Sequence, residues 1–235
     1  MAPGTVEAGG AVPADAGDGV EVEDVDEDRK SVGKEARRAE LGKAVEQAMA
    51  ARGLEGLRLR DVAEAAGITP AAVLYYGDLD ELVHTTYRQA IERYSQEREE
   101  AVIRFTDARD QLRACIDRGV ATGPDDTLTR LLFECWPRCL RDARAAVLDS
   151  SLTERQIAVY VVVLTFGQAQ GHFTLDDPAR LLAASFVALE DGYQMELLAG
   201  RRTRTEVLTA LHAYARAVTG HTLARPDSVG PASGS

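Results

Sequence analysis

The chain has 235 residues, 45% hydrophobic and only 6% aromatic, with a formal net charge of −11. That length holds one large or two smaller domains with a real core, and a mix rich in Ala, Leu, Glu and Arg favours helices over strands. The longest apolar run, Ile157 to Phe166, is far too short for a bilayer, no signal peptide opens the chain, and three cysteines make no disulfide framework, so a cytoplasmic setting is expected.

Residues 1–30 are expected to form a disordered acidic tail. Between Glu7 and Asp28 they carry nine acids and no Lys or Arg, with no apolar period. The balance then reverses. Residues 29–60 carry nine basic side chains against four acidic ones, a local excess of five. Salt screens charges beyond about 10 Å, so this local field, not the net charge, governs attraction to phosphates.

A first helix is predicted over about residues 34–52, where Leu41, Ala44, Val45, Ala48 and Met49 fall on one face and Gly53 ends it. A short second helix starts at Leu59, buries Val62, Ala63 and Ala66, and stops at Gly67. Ile68 plugs the turn. Thr69 caps a third short helix, and Pro70 suits its first position. A fourth helix begins after Asp78 and runs through Tyr87, Ile91 and Tyr94 toward Phe105. Further helices are predicted over 107–121, 125–149, 152–172, 177–198 and 203–219. Gly123–Pro124, Ser150–Ser151, Asp176–Asp177–Pro178 and Gly200 separate them. Residues 222–235 are expected to be a disordered tail.

Two short helices joined by a glycine-centred turn are the sequence form of a helix-turn-helix, which sets its second helix in the major groove of duplex DNA. The expected architecture is all-α: an N-terminal three-helix helix-turn-helix domain, residues 31–78, and a larger helical effector-binding and dimerisation domain, residues 79–221. The candidate DNA contacts are Lys34, Arg37, Arg38, Arg58 and Arg60 for phosphates, and Thr69, Pro70, Ala71, Ala72, Tyr75 and Tyr76 on the third helix. Pro70 and Ala71 suit thymine methyls but cannot hydrogen-bond bases, so recognition would lean on shape and phosphate positioning. Of the two tyrosines, one is expected buried and one facing DNA.

Residues 37–95 resemble the TetR family of transcriptional regulators. The likeness is carried by Asp61-Val62-Ala63, Ala65-Ala66-Gly67-Ile68-Thr69, Val73-Leu74-Tyr75-Tyr76 and Leu82-Val83, and more loosely by Gly171-x-Phe173 and Glu190-Asp191-Gly192-Tyr193. The resemblance implies a homodimer that binds a near-palindromic operator and a small-molecule effector, most simply a repressor released by that effector. Two departures stand out. Arg58 occupies a position where the family usually has Ser or Thr, and Gly77-Asp78-Leu79-Asp80 is one residue short and lacks the family's phosphate-contacting Lys. A helical ligand-binding protein without DNA binding is the alternative.

Dimer contacts are expected from the helices near 177–198 and 203–219. The fourth helix, which spans both domains, is the expected link between effector and DNA. Aromatics crowd the C-terminal half, and Phe133, Trp136, Tyr160, Phe166, Phe173 and Tyr193 are the candidate effector-pocket residues. Trp136 leads because Pro137 should break its helix and open space. Glu134, Glu190 and Asp191 are further candidates for a cationic ligand, set against solvated or dimer-face roles.

Cys135 and Cys139 share a helical face without a third ligand, so inert thiols are expected. His84, His172, His212 and His221 lack zinc spacing, and no P-loop, nucleophile elbow or dinucleotide fingerprint is present. No metal, cofactor or catalytic residue is expected. Paired Glu190 and Asp191 point apart on a helix and make a poor acid–base couple, so the chain does not read as an enzyme.

Overall fold

The computed structural model describes residues 37 and 39–221. Both predicted tails, together with Lys34 and Arg38, lie outside the described residues. Helix α1 covers residues 40–52, α2 Leu59–Ala66, α3 Pro70–Leu74, α4 Leu79–Ile103, α5 Ala108–Gly119 and α6 Thr127–Cys135. A 3₁₀ helix, Trp136–Leu140, follows. Then come α7 Ala143–Ala169, α8 Ala179–Leu198 and α9 Arg204–Thr219. No strand occurs among the described residues. The protein is all-α, as its composition predicts.

Local chemistry sets most boundaries. The side chains of Thr69, Asp78, Asp107, Asp126, Asp142 and Thr203 each accept a hydrogen bond from a backbone N–H in the first turn of the following helix. Gly67 ends α2 at φ 65°, a conformation that L side chains rarely adopt, and so permits the sharp turn into α3. Arg58, at the N-cap of α2, has no acceptor to offer. Asp61 compensates from inside the helix: its Oδ2 accepts the Arg58 backbone N–H at 2.8 Å.

One predicted boundary is wrong. The chain does not break at Ser150–Ser151; both serines are exposed in the middle of α7. Facing solvent, they cost the helix little. The break falls earlier, where Pro137 ends α6, the chain tightens into the 3₁₀ helix and Asp142 starts α7 afresh.

From Glu40 onward the described chain is one compact unit containing two hydrophobic cores. The first gathers the α1 stripe (Leu41, Ala44, Val45, Ala48 and Met49), Val62, Ala63 and Val73, and the Leu82–Tyr94 face of α4. It continues into Leu131, Leu132 and Cys135 of α6 and Leu152 of α7. The second is built by α5, α7, α8 and α9 around Leu112, Ile116, Tyr160, Leu164, Phe186 and Leu211. The helix-turn-helix therefore shares one core with α6, which packs on α4, although more than 50 residues of sequence intervene between α3 and α6.

The hydrophobic pattern of α8 predicts one buried stripe of Leu182, Ser185, Phe186, Leu189, Tyr193 and Leu197, and the observed stripe differs. Leu182 and Phe186 are buried as expected, but Glu190 and Gln194 are buried with them, while Leu189 and Tyr193 are only half-buried. The polar pair is tolerated because each finds partners. Arg98, 1% exposed, donates from Nη2 to Glu190 Oε1 and Oε2 at 2.7 and 2.9 Å and from Nε to Cys115 O at 3.1 Å. The Tyr160 hydroxyl donates to Glu190 Oε1 at 2.5 Å. Gln194 bridges Gly119 O and Ala121 N. Gly119 leaves the space this needs: a Cβ there would stand 2.4 Å from Glu190 Oε1 and 2.6 Å from Arg98 Nη2.

Candidate functional sites: a helix-turn-helix face and an acidic aromatic cavity

The first site is the surface of α2 and α3. Val73 is fully buried and anchors α3, which leaves Thr69, Pro70, Ala71, Leu74 and Tyr75 exposed. Tyr75 is 76% exposed, whereas Tyr76 is half-buried against the first core, and the two rings meet edge to face at 5.2 Å. One ring is thus open to solvent and the other half-covered, so neither tyrosine is buried as one of the pair was expected to be. Ala72 is half-buried, its N–H spent on the Thr69 cap at 3.2 Å. Arg58 and Arg60 are exposed at the start of α2, and Arg37 is half-buried. Arg52 and Arg60 lie 3.2 and 4.0 Å from the buried Asp61 carboxylate.

Asp78 and Asp80, in the segment where the sequence resemblance implied a lysine, both have structural work. Asp78 caps α4, accepting the Glu81 N–H at 2.9 Å. Asp80 pairs with Arg138 of the 3₁₀ helix and, at 3.2 Å, with Arg144 of α7, while Glu81 pairs with Arg144 at 3.1 Å. On the other side of the helix-turn-helix, Glu134 Oε2 accepts the Leu54 N–H at 2.7 Å. The α6–3₁₀ segment therefore holds the N-terminal module at Leu54 and the first turn of α4 at Asp80. The Leu54 tie is additional to α4, the link expected from sequence; the Asp80 pair acts on α4 itself.

The second site lies between the two cores. A cavity of about 280 Å³ is lined by Tyr87 and Tyr94 of α4, Thr129, Leu132 and Phe133 of α6, and Trp136 of the 3₁₀ helix. Asp149, Leu152, Thr153 and Gln156 of α7 and Asp191 and Gln194 of α8 complete it. The break at Pro137 turns Trp136 toward Phe133, their rings meeting edge to face at 5.9 Å.

Two acids with no cationic partner among the described residues set the electrostatics. Burial pushes the Asp191 carboxyl up to about 7, helped by the neighbouring charges of Glu190 and Asp149 and opposed by Arg98. Burial likewise raises Asp149, with the Trp136 side chain working the other way. A carboxyl raised on folding binds protons that the unfolded chain has already released, so on this account stability falls as pH climbs from about 4 to 7. No Lys, Arg or His lines the cavity.

Of the six aromatics predicted for an effector pocket, the structure brings Phe133 and Trp136 to this cavity. The other four lie elsewhere. Tyr160 is fully buried, stacked on Phe186 at 4.5 Å with the Arg98 guanidinium over its ring. Phe173 is buried against Gly167, Phe166 is 38% exposed, and Tyr193 is half-buried beneath Arg202. Sequence reasoning missed Tyr87, Tyr94, Asp149 and Gln156. A visible signal was the seven-residue spacing of Tyr87 and Tyr94, which sets both on one face of α4. Glu190 is in neither solvent nor cavity, because Arg98 and Tyr160 hold it. Cys135 is buried and its thiol pushed up to about 12 by desolvation, and burial raises Cys139 too, so neither is primed as a nucleophile.

No protein-family model and no curated protein matches this sequence. Solved structures do. A TetR transcription regulator from Haloarcula marismortui superposes with a TM-score of 0.71 at 21% identity, covering 79% of this chain and 99% of that one. The fold is that of the TetR-family transcriptional regulators. The TetR fold also relates the chain to a candidate transcriptional regulator from Saccharomonospora viridis in complex with choline. Its TM-score is 0.72 at 19% identity, with 77% of this chain and 96% of that one covered. The transcriptional regulator FadR from Bacillus subtilis, in complex with stearoyl-CoA, has a TM-score of 0.59 at 14% identity, covering 74% of this chain and 96% of that one. Within this TetR fold no described helix is long and apolar enough to cross a membrane.

Proposed function

We propose that the protein is a dimeric, sequence-specific DNA-binding regulator, a repressor whose grip on its operator is released by a small molecule in the cavity between the cores. The observation that carries the reading is the double tie of the α6–3₁₀ segment, which lines the cavity through Phe133 and Trp136, holds Leu54 just ahead of the helix-turn-helix through Glu134, and holds the first turn of α4 through Arg138. An occupant that displaces this segment shifts the reading head with it. That requires a difference in affinity between two states, not merely tight binding.

The proposed DNA face is the exposed side of α3 (Thr69, Pro70, Ala71, Leu74 and Tyr75) flanked by Arg58 and Arg60; Lys34, Arg37 and Arg38 are proposed as further phosphate contacts. Ala72 and Tyr76 position that face. The proposed dimer contact uses α8 and α9. Leu181, Ser185, Ala188, Gly192 and Met195 recur at four- and three-residue steps along the side of α8 away from the core, and Thr209, Ala213 and Ala217 do so on α9. Small residues there let a second copy approach closely.

Selection of bound fragments from random duplex DNA tests the reading. A near-palindrome with half-sites roughly 34–36 Å apart should be enriched. Failure to retain any duplex even at low salt would favour a helical ligand-binding protein without DNA binding. The apolar third helix and the loss of the lysine keep that rival alive.

A further inference from the structure

We infer that the cavity's ligand is a compact organic cation, an amine or quaternary ammonium on a small carbon skeleton, with Asp149 and Asp191 as its counter-ions and the surrounding aromatic rings as its box. The inference deepens the regulator reading and rests on its effector cavity. Three observations carry it. The charge in the cavity is one-sided: two carboxylates and no basic side chain, with neither acid in an ion pair among the described residues. Partly desolvated acids without a counter-charge are costly to fold, and a bound cation would relieve that cost. An anion would meet like charge there and no basic side chain.

The second observation is the wall. Tyr87, Tyr94, Phe133 and Trp136 come from three separate elements, and aromatic faces attract a cation most where water is excluded. Leu132 and Leu152 cover the carbon skeleton of the guest. The third is size. At about 280 Å³ the cavity stands just below the usual range of roughly 300–1,000 Å³, which suits a small guest and not a long acyl chain. A metal ion does not fit, since the described residues contain no group of three ligating side chains.

The groups facing the acids are consistent with this electrostatic picture. Glu190, Asp149, Arg98 and Tyr94 surround Asp191, and Trp136, Tyr87 and Cys139 surround Asp149. Arg98 is already bound to Glu190, so it does not neutralise the cavity. Cation binding should therefore weaken as pH falls below about 7, where Asp191 takes up its proton.

Trp136 is the chain's single tryptophan and lines the cavity, so its fluorescence reports occupancy directly. The full chain is titrated, without DNA, with choline, tetraethylammonium, benzyltrimethylammonium and putrescine, each beside its neutral carbon isostere. At least one cation should bind ten times or more tighter than its isostere, with affinity dropping about tenfold per pH unit below 7. Asp191→Asn and Asp149→Asn, followed by calorimetry, should each remove most of that preference; both relieve a buried charge, so folding is expected to survive. Equal binding of cation and isostere, binding to neither across the whole panel, or preference unchanged in both variants overturns the inference. DNA retention is read separately, so a protein that binds the cation but no duplex would contradict the regulator reading and leave this one standing.

Discussion

Arg98→Ala should cost about 3–5 kcal/mol of folding stability, a large share of what a domain possesses. Glu190 is 2% exposed and accepts two hydrogen bonds at 2.7 and 2.9 Å from the Arg98 guanidinium, its only charged partner among the described residues, beside one from the Tyr160 hydroxyl. With the guanidinium gone, the carboxylate keeps only the Tyr160 hydroxyl, and no water reaches it to replace the lost charge. The ring stacking would suffer too, since Arg98 lies 4.8 Å over the Tyr160 ring that stacks on Phe186. Urea unfolding checks this: the midpoint should drop with little change in slope. Removing the charge as well, in Arg98→Met with Glu190→Met, should recover much of the loss, because a buried pair is hard to break yet not hard to replace. A loss under about 1 kcal/mol in the single variant would mean that the pair is not sealed from solvent.

Asp80→Asn combined with Glu134→Gln should separate ligand binding from DNA release. The Asp80, Arg138 and Arg144 side chains are all partly or largely solvent-exposed, and exposed ion pairs contribute about 0–1 kcal/mol each, so the fold should persist. Coupling between two sites is typically about 1–3 kcal/mol, a 5–150-fold change in affinity. Removing the ties that join the cavity wall to Leu54 and to the first turn of α4 should erase most of it. The cation that fills the wild-type cavity should still quench Trp136, while duplex affinity becomes indifferent to it. The measurement is operator affinity with and without saturating ligand, in both proteins. Undiminished ligand response in the double variant would return the link to the core packing of α4 alone.

The helix-turn-helix was legible because its determinants are local. Thr69 and Pro70 start α3, Gly67 takes the left-handed turn and the α1 stripe is regular, so neighbouring residues fix each feature. The cavity was only half legible. Phe133 and Trp136 could be named because Pro137 advertises a helix break four residues from the first of them. Asp149 and Asp191 owe their character to desolvation by helices distant in sequence, and no spacing rule reports that. Glu190 was open to misreading for the same reason: its partner is 92 residues away. Ser150–Ser151 looked like a boundary on residue type alone, yet solvent-facing serines are tolerated within a helix that both cores hold in place.

Duplex retention measured against salt, for the native chain and for one with Arg37, Arg38, Arg58 and Arg60 all changed to Gln, bears most directly on whether α3 reads a groove under the pull of neighbouring cations. The account predicts that the native affinity falls linearly on a log–log plot, with a slope of roughly −0.9 per phosphate neutralised, and that the altered chain loses its operator at salt levels where the native one holds it. An altered chain that keeps full affinity and the same slope would contradict it.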